Sequence, residues 1–145
     1  MAAASRSSVV ERDIDCAHGT TRLRYAVRMT EACCHCGAVK LEVECAPTEL
    51  TSCNCSICRR LGTLWAYYAP AQVRVVGNTV TYRWGDKTID FHHCAGCGCT
   101  THWSQVDPTR ERMGINARLM EPAVVAAARV RLLDGADTWR YLDEP

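Results

Sequence analysis

The sequence predicts a small, mainly β domain of antiparallel strands with short helical segments. Three observations predict it. Val39, Leu41 and Val43 alternate with Lys40, Glu42 and Glu44, the period-2 pattern of a half-buried strand. Two glycine-led turn signals, Gly77-Asn78 and Gly85-Asp86, each separate β-rich runs. Only Glu121–Ala128 and the segment after Cys58 read as helical, and both are short. The 145 residues suit one domain with one core.

Taken in order, residues 1–28 differ from the rest, with five arginines, no lysine and no clear period. They are expected to form an N-terminal extension, disordered or upstream of the natural start at Met29, ahead of a domain over 29–145. Glu11, Asp13 and Asp15 speak against a transit peptide, and no apolar run there is long enough for a signal peptide. "LWAYYAP" (Leu64–Pro70) is a second strand, stopped by Pro70. "VRVVGNTVTYRW" is expected to be a hairpin turning at Gly77-Asn78, and "WGDKTIDFHHC" a second one turning at Gly85-Asp86. "RVRLL" and "TWRYL" are expected to add two short strands, split by Asp134-Gly135.

Composition narrows the function. A net charge of +1 and a sequence pI near 7.5 leave no long-range field for a polyanion, which argues against nucleic acid as a partner. No apolar stretch approaches the roughly 20 residues of a membrane span, so no membrane partner is expected. Oligomeric state is not readable. Eleven cysteines are the outlier. Their odd number and their C-x-C and C-x-x-C spacings favour metal thiolates over a disulfide scaffold and point to a cytoplasmic protein.

The cysteines form three clusters. "CCHCG" places Cys34 and Cys36 in C-x-C-G; "CNCSIC" contains Cys53, Cys55 and Cys58; "CAGCGC" places Cys94 and Cys97 in C-x-x-C-G, with Cys99 beyond. A short turn between two cysteines aims both sulfurs at one point. A glycine after the second, here Gly37 or Gly98, lets the chain take positive φ and double back. Two such knuckles complete a four-thiolate zinc site. Spacing leaves the pairing open. Cys55, Cys58, Cys94 and Cys97 would make an ordinary zinc ribbon. Alternatively Cys34, Cys36, Cys94 and Cys97 close one site, and Cys53, Cys55 and Cys58 hold a second metal with one position open for water or substrate.

C-x-C-G, then C-x-C-x-x-C about twenty residues later, then "FHHCAGCG" resemble the glutathione-dependent formaldehyde-activating enzyme family, which includes the centromere protein V type of domain. "CRRLGTLWAYY" and "CTTHW…RMGINARL" look like its bacterial, aldehyde-activating branch. The resemblance runs from Met29 to Leu142. It implies a β-tent of twisted antiparallel sheets related to zinc-ribbon folds. It also implies two zincs per chain: a structural one on Cys34, Cys36, Cys94 and Cys97, and a catalytic one on Cys53, Cys55 and Cys58. The implied activity is that of a carbon–sulfur lyase acting on a small-molecule thiol, glutathione or similar, and an aldehyde. Its product is the S-hydroxymethylglutathione type of adduct.

Three-thiolate zinc is a weaker Lewis acid than three-histidine zinc, yet it binds a fourth thiolate well because sulfur suits the metal. Arg59, Arg60 and Lys87 are candidates for pairing with glutathione's carboxylates. Trp65, Tyr67 and Tyr68 are candidates for a pocket wall, against ordinary core packing. His92 and His93 adjoin Cys94, and as neighbours on a strand at most one faces a site. Two rival readings remain: a non-catalytic zinc module for interactions, and a redox protein using Cys55 and Cys58.

Overall fold

The computed structural model describes residues 29–143. The 1–28 extension therefore lies outside the described residues.

Among the described residues, ten strands form two open, twisted sheets. Strands β1 (Thr30–Cys33), β2 (Lys40–Val43) and β5 (Val73–Val76) make the smaller sheet, in the order β1-β2-β5. The larger sheet contains β3 (Glu49–Cys53), β4 (Trp65–Tyr68), β6 (Thr79–Tyr82), β7 (Ile89–Cys94), β8 (Thr100–Gln105), β9 (Met113–Asn116) and β10 (Arg129–Leu133). Its order is β10-β3-β4-β9-β8-β7-β6. Every ladder is antiparallel except β10 on β3. The helices are single short pieces, α1 (Cys58–Leu61) and α2 (Pro122–Ala127). Fold class, the β2 alternation and both helical segments agree with the sequence reading.

Two sequence expectations are corrected. Gly77-Asn78 is not a hairpin turn. It carries the chain from one sheet to the other, because β5 pairs with β2 while β6 pairs with β7. Gly77 has φ +104 and lies so close to the Ala38 carbonyl that a β-carbon there would collide with it. The crossing thus needs glycine for both conformation and contact. "TWRYL" is not a strand either. The chain turns over Asp134–Arg140 and regains one bridge, Leu133 to Tyr141. The Asp134 carboxylate stops it by accepting from the Thr138 N–H and hydroxyl, an arrangement typical of Asp-led turns. The second hairpin stands: β6 and β7 pair around Gly85 at φ +61, and Arg83 bridges Asp90 at 2.7 Å.

Strand alternation divides the larger sheet into two faces. Leu50, Ala66 and Ile115 point inward and join Leu41 and Val43 of the smaller sheet, with Val39 just before it, in the main core. Leu41, Leu50 and Ile115 are fully buried, so truncating any one to alanine costs about 2–5 kcal/mol. The other face carries Cys53, Trp65, Phe91 and Trp103, a second and aromatic cluster. Gly114 of β9 makes room on that face: the Trp103 ring lies where its side chain would be.

Candidate metal centres

Each knuckle is built locally. Gly37 and Gly98 take φ +80 and +73, and their N–H groups bond back to the carbonyls of Cys34 and Cys94. The Val39 N–H donates to Cys34 Sγ at 3.2 Å, a bond that favours the thiolate. The two knuckles meet although 58 residues separate Cys36 from Cys94. The sulfurs of Cys34 and Cys36, and of Cys36 and Cys94, lie 3.6 Å apart. With Cys97 they form a group in which all four sulfurs fall within 4.8 Å of one another. Sulfurs about 2.3 Å from a tetrahedral ion lie about 3.8 Å apart, so the donor set fits such an ion. Backbone donation at Cys99 comes first among the causes that bring Cys97 down to about 5. Cys33 and Cys99 stay outside the group, Cys33 bonding instead to the Cys34 carbonyl.

Cys53, Cys55 and Cys58 form a second group with sulfurs within the same 4.8 Å. Among the described residues, no other Cys, His, Asp or Glu joins them. The four-plus-three division is therefore the one the geometry assembles; the zinc-ribbon pairing of Cys55 and Cys58 with Cys94 and Cys97 is not formed.

Each of the three cysteines owes its position to a different element. Cys53 ends β3, where Leu133 of β10 lies opposite it. The Cys55 carbonyl accepts the Arg59 N–H, which rolls the C-x-x-C turn into α1. Cys58 starts that helix, and Gly62 ends it at φ +63 with its N–H on the Cys58 carbonyl. All three thiols are buried. Trp65 donates its indole N–H to Cys58 Sγ at 3.2 Å. Interaction with Cys58 is the main cause that brings Cys53 down to about 6, while the same interaction, with burial, pushes Cys58 well above the ordinary thiol range. Asn54, between two of the cysteines, clamps the Asp134–Arg140 turn: its amide donates to Asp134 at 2.9 Å and accepts from the Ala136 N–H at 2.9 Å. That clamp presses Gly135 against Cys53 Sγ so tightly that a β-carbon there would overlap the sulfur.

The other sequence candidates separate cleanly. Trp65 and Tyr67 pack on the three-cysteine group, whereas Tyr68 packs on the main core and donates to the Cys45 carbonyl. Burial pushes the Tyr67 phenol up to about 12, so it stays neutral. His92 uses both ring nitrogens, on Thr79 and Ser104 at 2.9 Å each, and stacks on His102 with centroids 4.0 Å apart. Arg60 donates to the Ser56 carbonyl at 2.7 Å. Lys87 sits in the β6–β7 turn, at the far edge of the sheet from β3. Sequence reasoning missed Phe91, Trp103, Asn54 and Gly135 because each reaches the site through strand register or a distant turn. The one local signal was Asn54, an amide inside "CNC".

Residues 29–133 match the family model for the glutathione-dependent formaldehyde-activating enzyme. The chain belongs to that family. A crystal structure of a Rhodobacter sphaeroides protein is similar at 30% identity, covering 69% of this chain and 98% of that one, with a TM-score of 0.57. No curated protein matches. The family match contains all seven clustered cysteines and ends at Leu133, just before the turn that carries Gly135. No helix among the described residues is long and apolar enough to cross a membrane.

Proposed function

We propose that the chain is a zinc-dependent carbon–sulfur lyase that forms and cleaves a glutathione–aldehyde adduct at Cys53, Cys55 and Cys58. One observation carries this reading: a group of three thiols stands beside a separate and complete group of four. Four thiolates close a structural site, whereas three leave a position for a substrate. Family membership supports glutathione and formaldehyde as the reactants.

The net reaction adds a thiol to a carbonyl. A carbon–sulfur bond forms, the C=O π bond opens to oxygen, and the thiol proton ends on that oxygen. Zinc, when bound, would supply a thiophilic positive centre that keeps a substrate thiol ionised near neutral pH. The chain's own residues do the rest. Cys53, Cys55 and Cys58 would hold the ion. The Trp65 N–H draws charge from Cys58, which leaves the centre less electron-rich than three unassisted thiolates would. Phe91, Trp65 and Trp103 keep the surroundings apolar, which strengthens each electrostatic contact at the site. Cys34, Cys36, Cys94 and Cys97 would hold the second, structural zinc.

The test is exchange NMR between formaldehyde, glutathione and their adduct, read against the spontaneous rate. Wild-type protein carrying close to two zincs per chain is expected to raise the rate above that baseline. Cys55→Ser is expected to carry one zinc and return the rate to baseline. A Cys55→Ser variant that keeps the full rate would sink the proposal.

A further inference from the structure

We propose that Arg112 is the carboxylate anchor of the thiol-binding site, and that it makes the site prefer an acidic peptide thiol to a neutral one. The inference rests on the thiol-binding reading above and names a residue that the spacing of the cysteines does not reach. Arg112 precedes β9 by one residue. Strand alternation places it on the same face as Gly114, which lies opposite Tyr67 on β4. That is the face carrying Cys53, Trp65 and Trp103. The guanidinium carbon sits 3.9 Å from the centre of the Tyr67 ring. Tyr67 packs on the three-cysteine cluster and meets Trp103 edge-on at 6.0 Å. Arg112 is therefore held over an aromatic ring on the flank of the site, and the residue is exposed to solvent.

Its charge is also uncommitted. Among the described residues no carboxylate forms an ion pair with Arg112, in contrast to Arg74, Arg83, Arg129 and Arg131. Arg131 offers the closest comparison. It stacks on Tyr141 at 3.8 Å, but Asp143 at 3.2 Å and Glu49 at 3.9 Å already engage its charge. A planar guanidinium, held by a cation–π contact and in no ion pair with a described carboxylate, suits bidentate capture of one. Arg59 and Arg60 adjoin Cys58 in sequence, but among the described residues no aromatic ring lies under either guanidinium.

The test compares zinc-loaded wild type with Arg112→Gln and Arg112→Lys, on glutathione and on 2-mercaptoethanol, which has no carboxylate. Arg112→Gln is expected to raise the KM for glutathione roughly 10-fold with little change in kcat, the pattern of lost ground-state binding. Arg112→Lys should recover part of the loss. The KM for 2-mercaptoethanol should move far less. Calorimetric titration of glutathione into each protein should show the same weakening without relying on turnover. Equal KM shifts for the two thiols, or none for glutathione, would overturn the role of Arg112. If wild type binds glutathione without accelerating exchange, the lyase reading fails while the titration still decides Arg112. A wild type that neither binds nor exchanges glutathione overturns both.

Discussion

Trp65 shows how much one side chain contributes here. Its ring fills the aromatic cluster, and its N–H donates to Cys58 Sγ at 3.2 Å. Replacing it by phenylalanine keeps most of the bulk and removes the donor. Outer hydrogen bonds of this kind set ligand orientation and basicity, and losing one weakens metal affinity by about 10–100-fold. Trp65→Phe is therefore expected to release metal from this group to a competing chelator at correspondingly lower chelator concentration. Metal held by Cys34, Cys36, Cys94 and Cys97 should be unaffected. A single, unchanged release curve for both metals would show that the bond to Cys58 contributes nothing.

At the scale of elements, the crossing at Gly77 organises the architecture. It moves the chain from β5 in one sheet to β6 in the other, so one continuous β-rich run serves two sheets. Alanine there meets two penalties: a φ of +104, outside the range of L-residues, and overlap with the Ala38 carbonyl. Gly77→Ala is expected to lower unfolding free energy by about 2 kcal/mol or more, measured by urea titration. Gly85→Ala is the matched control. Its φ of +61 is in the left-handed region, but nothing lies within 4 Å of the added carbon, so its cost should be about 1 kcal/mol. Equal losses would mean that the contact with Ala38 is not what restricts residue 77. The turn over residues 134–140 is a second case of an element acting at a distance, since Asn54, 80 residues before Asp134, ties it to the cysteine group.

For the whole molecule, the larger sheet acts as a partition. One face closes the main core against the smaller sheet, and the other carries the three-cysteine group under aromatic cover. The stacked pair of His92 and His102 makes this fold acid-sensitive independently of the thiols. Burial first, then the neighbouring His92, brings His102 from the ordinary histidine value of 6.5 down to about 3. The folded protein therefore keeps His102 neutral, whereas the unfolded chain protonates it below about pH 6.5. Stability is fully present above that pH and is lost as pH falls toward 3. Between pH 6.5 and 4.5 this amounts to roughly 2 kcal/mol more loss for wild type than for His102→Gln, read as the pH dependence of the urea midpoint. Parallel pH profiles for the two proteins would exclude His102 as the source. The sequence by itself determined whatever depends on neighbouring residues. This includes the β2 alternation, the one-turn helix after Cys58, and the knuckles closed by Gly37 and Gly98, because such turns are set by φ preferences and bonds a few residues long. It also contained the family motifs, since all seven clustered cysteines lie in short, readable spacings. Only the tertiary structure decided which knuckles meet, which of Trp65, Tyr67 and Tyr68 face the site, that Gly77 crosses between sheets, that Gly135 lies against Cys53, and that Arg112 lies over Tyr67. Those outcomes depend on strand register across dozens of residues. Many registers satisfy the same local pattern, and burial of one shared core selects among them.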